Sequence, residues 1–176
     1  MKFIPVPLAG AFVLEVERHD DERGGFGRTY CARELAAQGL DPRIAQCSMS
    51  WNTSRGTLRG MHYQASPHEE AKTVRVVAGA IFDVMVDLRP GSPTRGQWFG
   101  AELSASNHRA LYIPAGFAHG FLTMSDQSVV HYQISDFYVP EASRGFRWDD
   151  PSVAIAWPFP PTCISDRDRA LPGLDV

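Results

Sequence analysis

The sequence predicts an all-β protein, a sandwich or barrel of nine or ten short strands folded as one domain over residues 1–176. The chain is 44% hydrophobic, enough for one substantial core and cramped for two. Its 15 glycines and 13 prolines are spread along the length, as a fold with many tight turns requires. From Ala11 onward, runs rich in Val, Ile and aromatic residues alternate with Gly, Pro, Asn and Asp clusters, and the apolar period is nearer two than 3.6.

Taken in order, strands are expected over Phe12–Glu17, Arg43–Ser50, Thr57–Gln64, Thr73–Val77, Ala80–Leu88, Trp98–Leu103, Ala110–Ile113, Gly120–Met124 and Ser128–Ile134. The run from Ala80 is the clearest: Phe82, Val84, Val86 and Leu88 share one face, and Ile81, Asp83, Met85 and Asp87 the other. Arg89-Pro90-Gly91-Ser92-Pro93 then turns the chain. Only Cys31–Gln38 reads as a helix, with Gly39 placed to end it.

Composition removes several classes of function. A formal charge of −3 without any Lys/Arg block offers no field for nucleic-acid phosphates. Met1-Lys2-Phe3-Ile4-Pro5-Val6-Pro7 is too short in its apolar run and too rich in proline for a signal peptide, and no later segment is apolar enough to span a bilayer, so a cytoplasmic enzyme is expected. Cys31, Cys47 and Cys163 form no CxxC pair and are odd in number, which points to buried thiols in place of a disulfide or zinc framework.

Four stretches carry groups capable of chemistry. Gly56-Thr57-Leu58-Arg59-Gly60-Met61-His62-Tyr63-Gln64 places an arginine and a histidine in one strand. A neutral imidazole there can act as a general base. Strict alternation puts Arg59 and His62 on opposite faces unless Gly60 hosts a bulge. Lys72 opens the next strand, where its ammonium is either solvated or directed into a barrel mouth to stabilise an oxyanion. Tyr132 shares a face with Val130 and Ile134, so it is either a core tyrosine or a phenol that delivers a proton. Near the end, Ile164-Ser165-Asp166-Arg167-Asp168 offers an aspartate that could orient the histidine.

Pro114-Ala115-Gly116-Phe117-Ala118-His119 has the P-x-G-x-x-H spacing of the second half of the cupin pattern. A metal-binding cupin would also bring H-x-H and a glutamate, whereas this chain has His62-Tyr63-Gln64 and then Glu69. One imidazole is missing, and an amide is a weaker ligand for zinc or iron, so neither metal nor cofactor is expected.

The ordered set Asp21-Glu22-Arg23-Gly24, Leu58 to Gln64, Lys72-Thr73-Val74-Arg75, Asp83 to Arg89, Pro114 to Phe121 and Ser165 to Asp168 resembles the dTDP-4-dehydrorhamnose 3,5-epimerase family over nearly the whole chain. The resemblance implies a cupin-type β-barrel (jelly roll) with short peripheral helices. It implies a homodimer in which an N-terminal strand of one subunit completes its partner's site. The expected reaction is epimerisation at C3, C5 or both of a nucleotide-linked 4-keto-6-deoxyhexose in deoxysugar biosynthesis. The resemblance makes His62 the base, Tyr132 the acid and Asp168 the carboxylate paired with His62, with Lys72 and His119 around the sugar. It gives Arg23 and Arg59 to the diphosphate and Tyr138 to the base, with Phe26, Arg28, Gln46, Ser48 and Ser143 completing the substrate-binding set. Arg28, Ser48 and Ser143 depart from the family's usual glutamate, asparagine and glutamate, which loosens the expectation of thymidine. Two other readings stand beside this one: a metal-dependent cupin isomerase or oxygenase using His62, Gln64, Glu69 and His119, and a non-catalytic barrel that binds a sugar nucleotide.

Overall fold

The computed structural model describes residues 1–174. Its strands are β1 (Lys2–Pro5), β2 (Phe12–Glu15), β3 (Arg18–Asp21), β4 (Gly24–Gly27), β5 (Gln46–Asn52), β6 (Thr57–Gln64), β7 (Lys72–Ala78), β8 (Ala80–Asp87), β9 (Trp98–Ser104), β10 (Ala110–Ile113), β11 (Phe117–Thr123), β12 (Ser128–Ile134), β13 (Ser143–Gly145) and β14 (Cys163–Ile164). The helices are α1 (Ala32–Ala37) and α2 (Asp166–Arg169), with a 3-10 turn at Pro140–Ala142.

One sheet runs β1-β2-β10-β7-β12-β5 and a second runs β13-β6-β11-β8-β9, with β14 parallel to β6. They face each other as the two halves of a jelly-roll barrel. Val13, Val74, Leu111 and Val130 of the first sheet meet Ile81, Met85, Leu103 and Phe121 of the second in one buried cluster. The alternation read in β8 is realised: Ile81 and Met85 point into this core, while Val84 and Val86 face outward under Phe146 and Val153 of the C-terminal segment. On the outer face of the first sheet, Leu35 of α1 packs with Leu14 and Tyr112.

The expected strands are present with shifted ends: β2 stops at Glu15, β5 starts at Gln46 and continues to Asn52, and β11 starts at Phe117. Gly39 adopts φ +72° after α1, and its N–H closes on the Ala36 carbonyl at 3.0 Å, as a helix-ending glycine does. The β3–β4 hairpin was not anticipated, because every residue of β3 is exposed and leaves no apolar face to read. β13, β14 and α2 are too short to show a period. The cysteines correct their expectation: all three are free, but Cys47 and Cys163 are exposed and Cys31 half-buried. Both exposed positions lie on strands with one face turned to solvent, a distinction that residue type does not encode.

Where β11 pairs with β6, His119 lies opposite His62 and Phe121 opposite Arg59. Two steps on β11 therefore span three on β6, so β6 carries one extra residue, a β-bulge. The bulge reverses the parity that strict alternation assigns, and Arg59 and His62 reach the same cavity. Gly60 makes this possible. Its φ is +136°, and a Cβ there would stand 2.6 Å from the Cα of Gly120.

Gly60→Ala is therefore expected to destabilise the protein by about 2 kcal/mol or more, seen as a drop in Tm of roughly 4–8 °C. An unchanged melting temperature would show that the strands can separate without cost.

Candidate active site

Between the two sheets lies a cavity of about 530 Å³. Of the expected residues, Ser48, Arg59, His62, Lys72, His119, Tyr132 and Asp168 line it. Tyr132, Lys72 and Ser48 come from β12, β7 and β5 of the first sheet; Arg59, His62 and His119 come from β6 and β11 of the second. Groups from the two sheets thus confront each other across one space.

The His62 ring is held from behind. Its Nε2 lies 2.8 Å from Oδ1 of Asp168, whose Oδ2 accepts the Gly60 N–H at 3.2 Å. Asp168 sits in α2, and Ser165 caps that turn by accepting the Asp168 N–H at 3.1 Å. The carboxylate is nearly buried while the ring is about 38% exposed, so the charge is inside and the imidazole faces the cavity. Burial pushes the Asp168 carboxyl up, but the hydrogen bond and charge of His62 and the Gly60 N–H outweigh it, leaving the group below its ordinary value. A neutral imidazole that donates Nε2–H to this carboxylate leaves Nδ1 as its acceptor.

Across the cavity, Tyr132 is pushed well above the usual tyrosine range by burial and by the Asp83 carboxylate, with Arg59 partly opposing. It therefore enters any reaction near neutral pH as the protonated phenol. Its ring meets His119 edge-on at 6.0 Å. His119 in turn has Nε2 2.7 Å from Oδ1 of Asp83, a second histidine–carboxylate pair that is almost wholly buried. Burial pushes the Asp83 carboxyl up, against His119 and Lys72. Lys72 pairs with Glu70 at 2.7 Å, both largely buried.

Asp83 and Glu70 were not assigned to the site from sequence, although Asp83 shares a face with Ile81 and Met85 and so had to point inward. The structure also adds Ser50, Phe121, Ile134, Ser165 and Arg167 to the lining. Ser50 was legible two residues from Ser48 on the same strand face. Arg167 and Ser165 were not, because α2, which carries Arg167 and is capped by Ser165, is only four residues long.

The remaining expected residues lie outside this cavity. Arg23 and Phe26 are on the exposed β3–β4 hairpin, with Phe26 80% exposed. Arg28 follows the hairpin and is paired with Glu34 at 2.9 Å, which also binds the N-terminal ammonium at 2.7 Å. Gln46 accepts the Tyr138 N–H at 2.7 Å, and Tyr138 is exposed. Ser143 accepts from Arg167 at 3.1 Å, one contact behind the wall.

The four donors of the metal reading do not converge. Gln64 donates to the carbonyls of His68 and Phe137 and accepts the Val139 N–H, so its amide is committed to loop backbone. Glu69 lines a separate cleft with Tyr63, Leu88 and Arg89. Among the described residues no group of three or more His, Cys, Asp or Glu is placed to hold a metal, and no helix is long and apolar enough to cross a membrane.

A jelly-roll barrel whose interior cavity gathers a carboxylate-held histidine, a buried tyrosine and a buried lysine has the architecture of the cupin type. The model of the dTDP-4-dehydrorhamnose 3,5-epimerase family matches residues 5–175. The enzyme of that name from Methanothermobacter thermautotrophicus is 44% identical over 171 residues, covering 96% of this chain and 91% of that one. The crystal structure of dTDP-4-dehydrorhamnose 3,5-epimerase from Bacillus anthracis with TDP and PPi bound superposes with TM-score 0.94 at 40% identity, covering 98% of this chain and 99% of that one. ChmJ, a 3'-monoepimerase from Streptomyces bikiniensis in complex with dTDP-quinovose, superposes with TM-score 0.86 at 35% identity, covering 96% and 86%. The chain belongs to the dTDP-4-dehydrorhamnose 3,5-epimerase family and is an isomerase.

Asp168→Asn is expected to cost about 1–3 kcal/mol of stability at neutral pH. Folding holds this carboxyl below its unfolded value of about 3.9, so its contribution is fully present above that pH and is lost as the pH falls through the lower folded value. Denaturant titrations should show wild type and Asp168→Asn converging below about pH 4. A gap that stays constant into acid would mean that the ionised carboxylate is not what stabilises the site.

Proposed function

We propose that this chain inverts C3, C5 or both of a dTDP-linked 4-keto-6-deoxyhexose during deoxysugar biosynthesis, by proton removal at His62 and proton return from Tyr132. The observation that carries this reading is that base and acid arise from the two facing sheets, so a sugar ring lying between them meets one on each face. A ketone at C4 acidifies the hydrogens on C3 and C5. Nδ1 of His62 takes one of them, and Asp168 stabilises the resulting imidazolium. Charge then builds on the C4 oxygen, where the Lys72 ammonium, itself largely buried and fixed by Glu70, offsets it. Tyr132 delivers its proton to the opposite face of the carbon, which inverts it. Each step uses a side chain of this protein, and none calls for a metal.

Arg59 at the cavity mouth is suited to the diphosphate, because its fork can grip phosphate oxygens in a bidentate way that lysine cannot. The likeness to proteins holding TDP and dTDP-quinovose supports a thymidine nucleotide. The changes at Arg28, Ser48 and Ser143 make other bases a direct comparison to run. A homodimer accounts for Arg23 and Phe26: both stand on an exposed hairpin that, among the described residues, pairs only with itself, so the site they would complete is a partner subunit's. Met49, Trp51 and Val77 expose further apolar surface on the first sheet for that contact.

Incubation of dTDP-4-dehydro-6-deoxyglucose with the protein in D₂O should place deuterium at the inverted carbons, read by NMR. His62→Ala should slow this exchange by ~10²–10⁴-fold while TDP affinity stays near wild type. Retention of most of the exchange rate would remove His62 as the base. Chelator-treated protein should keep its full rate; activity lost on chelation and restored by a divalent metal would return the metal-dependent reading.

A further inference from the structure

Asn52 is 3% exposed and ends β5, two residues beyond the strand end expected from the sequence. All of its polar capacity is used. Its Nδ2 donates to the backbone carbonyls of Ser50 at 3.2 Å and Ser128 at 3.1 Å, which fixes the amide plane between β5 and β12. Its Oδ1 accepts the Ser50 hydroxyl at 3.4 Å and, at 2.8 Å, the Nε–H of Arg59. Two of these bonds lock the amide to backbone that cannot turn, and the shortest contact of the set runs to the one charged group.

A guanidinium has five N–H donors in a rigid plane. Holding Nε–H fixes rotation about the Cδ–Nε bond and hence the direction in which the two terminal nitrogens point. Apart from a long 3.5 Å contact from Nη2 to the Trp51 carbonyl, those nitrogens make no hydrogen bond among the described residues. Arg59 has no carboxylate partner among the ion pairs of the described residues. The free edge of the fork therefore stands at the cavity mouth, aimed by a neutral amide that does not cancel its charge.

We propose that Asn52 is a positioning residue that presets the Arg59 guanidinium for the substrate diphosphate. This rests on the assignment of Arg59 to the diphosphate. An arginine already held in its binding geometry loses less side-chain freedom when the ligand arrives, and a neutral acceptor leaves its full charge to the phosphates. A carboxylate at position 52 would hold the same nitrogen but compete with the ligand for it.

The test is a double-mutant cycle read by calorimetric titration of the full-length protein with TDP, with melting curves in parallel. Arg59→Ala should weaken TDP binding by about a hundredfold and Asn52→Ala by roughly tenfold. The double variant should bind no more weakly than Arg59→Ala alone, because Asn52 acts through Arg59. With the 4-keto sugar substrate, Asn52→Ala should raise KM and leave kcat near wild type. If the two losses multiply, Asn52 acts by supporting the barrel and the proposal falls, while the assignment of Arg59 stands. Unchanged TDP affinity in Arg59→Ala would instead overturn that assignment, and the inference with it. Should Asn52→Ala not fold, the cycle is run with Asn52→Ser, which can still donate to a strand carbonyl but is too short to reach the guanidinium.

Discussion

The extra residue that β6 carries at Gly60 is the constraint on which the rest of the site depends. In a regular strand Arg59 and His62 would face opposite sides, one into the barrel and one out. The bulge brings both inward and turns the Gly60 N–H toward Asp168. One residue inserted into one strand thus sets His62, Asp168 and Arg59 around a single space. The cost of this arrangement is that two chain segments touch at Gly60 and Gly120 with no room for a side chain on either.

Around that bulge the interior holds several buried ionisable groups. Asp83 is wholly buried and Asp168 and Glu70 nearly so, and each is matched by a basic group: His119, His62 and Lys72 respectively. Removing one partner would leave the other as an uncompensated buried charge, which is far more costly than the net worth of the pair. Such pairing fixes the side chains against the sheets, so that the cavity presents donors and acceptors in set positions before a ligand arrives. Among the described residues, one oxygen of Asp83 and one of Glu70 are buried without a hydrogen-bond partner, beside His119 and Lys72 respectively.

Much of this was legible in the sequence, and the reasons differ from residue to residue. The alternation in β8 displayed its buried and outward faces directly, because both faces are covered and every position is under packing constraint. His62, Lys72, His119 and Tyr132 could be placed in one cavity only through the ordered resemblance, since a lone histidine, lysine or tyrosine on a strand reads more readily as a structural or solvated residue. The hairpin β3–β4 escaped because it buries nothing. Gln64 and Glu69 illustrate the opposite failure: their spacing from His62 fits half of a metal motif, but the turn after β6 sends one amide to loop backbone and the carboxylate to another cleft. Glu70 and Asn52 went unassigned because their roles are relational. Each acts on a neighbour that itself faces the cavity, and no periodicity reports that.

What distinguishes a proton-exchanging barrel from an inverting one is the second proton donor, so Tyr132→Phe measured in D₂O tests the account most directly. Phenylalanine keeps the ring and its packing against His119 and deletes only the hydroxyl. In the proposed mechanism His62 still forms the enolate, and its protonated ring, once its N–H has exchanged with D₂O, returns a deuteron to the face that the proton left. The variant should therefore incorporate deuterium at the sugar carbon with configuration retained, while inversion falls by about two orders of magnitude or more. Inversion at the wild-type rate would contradict the account, because the proton that inverts the carbon would then come from a source other than the wall that faces His62.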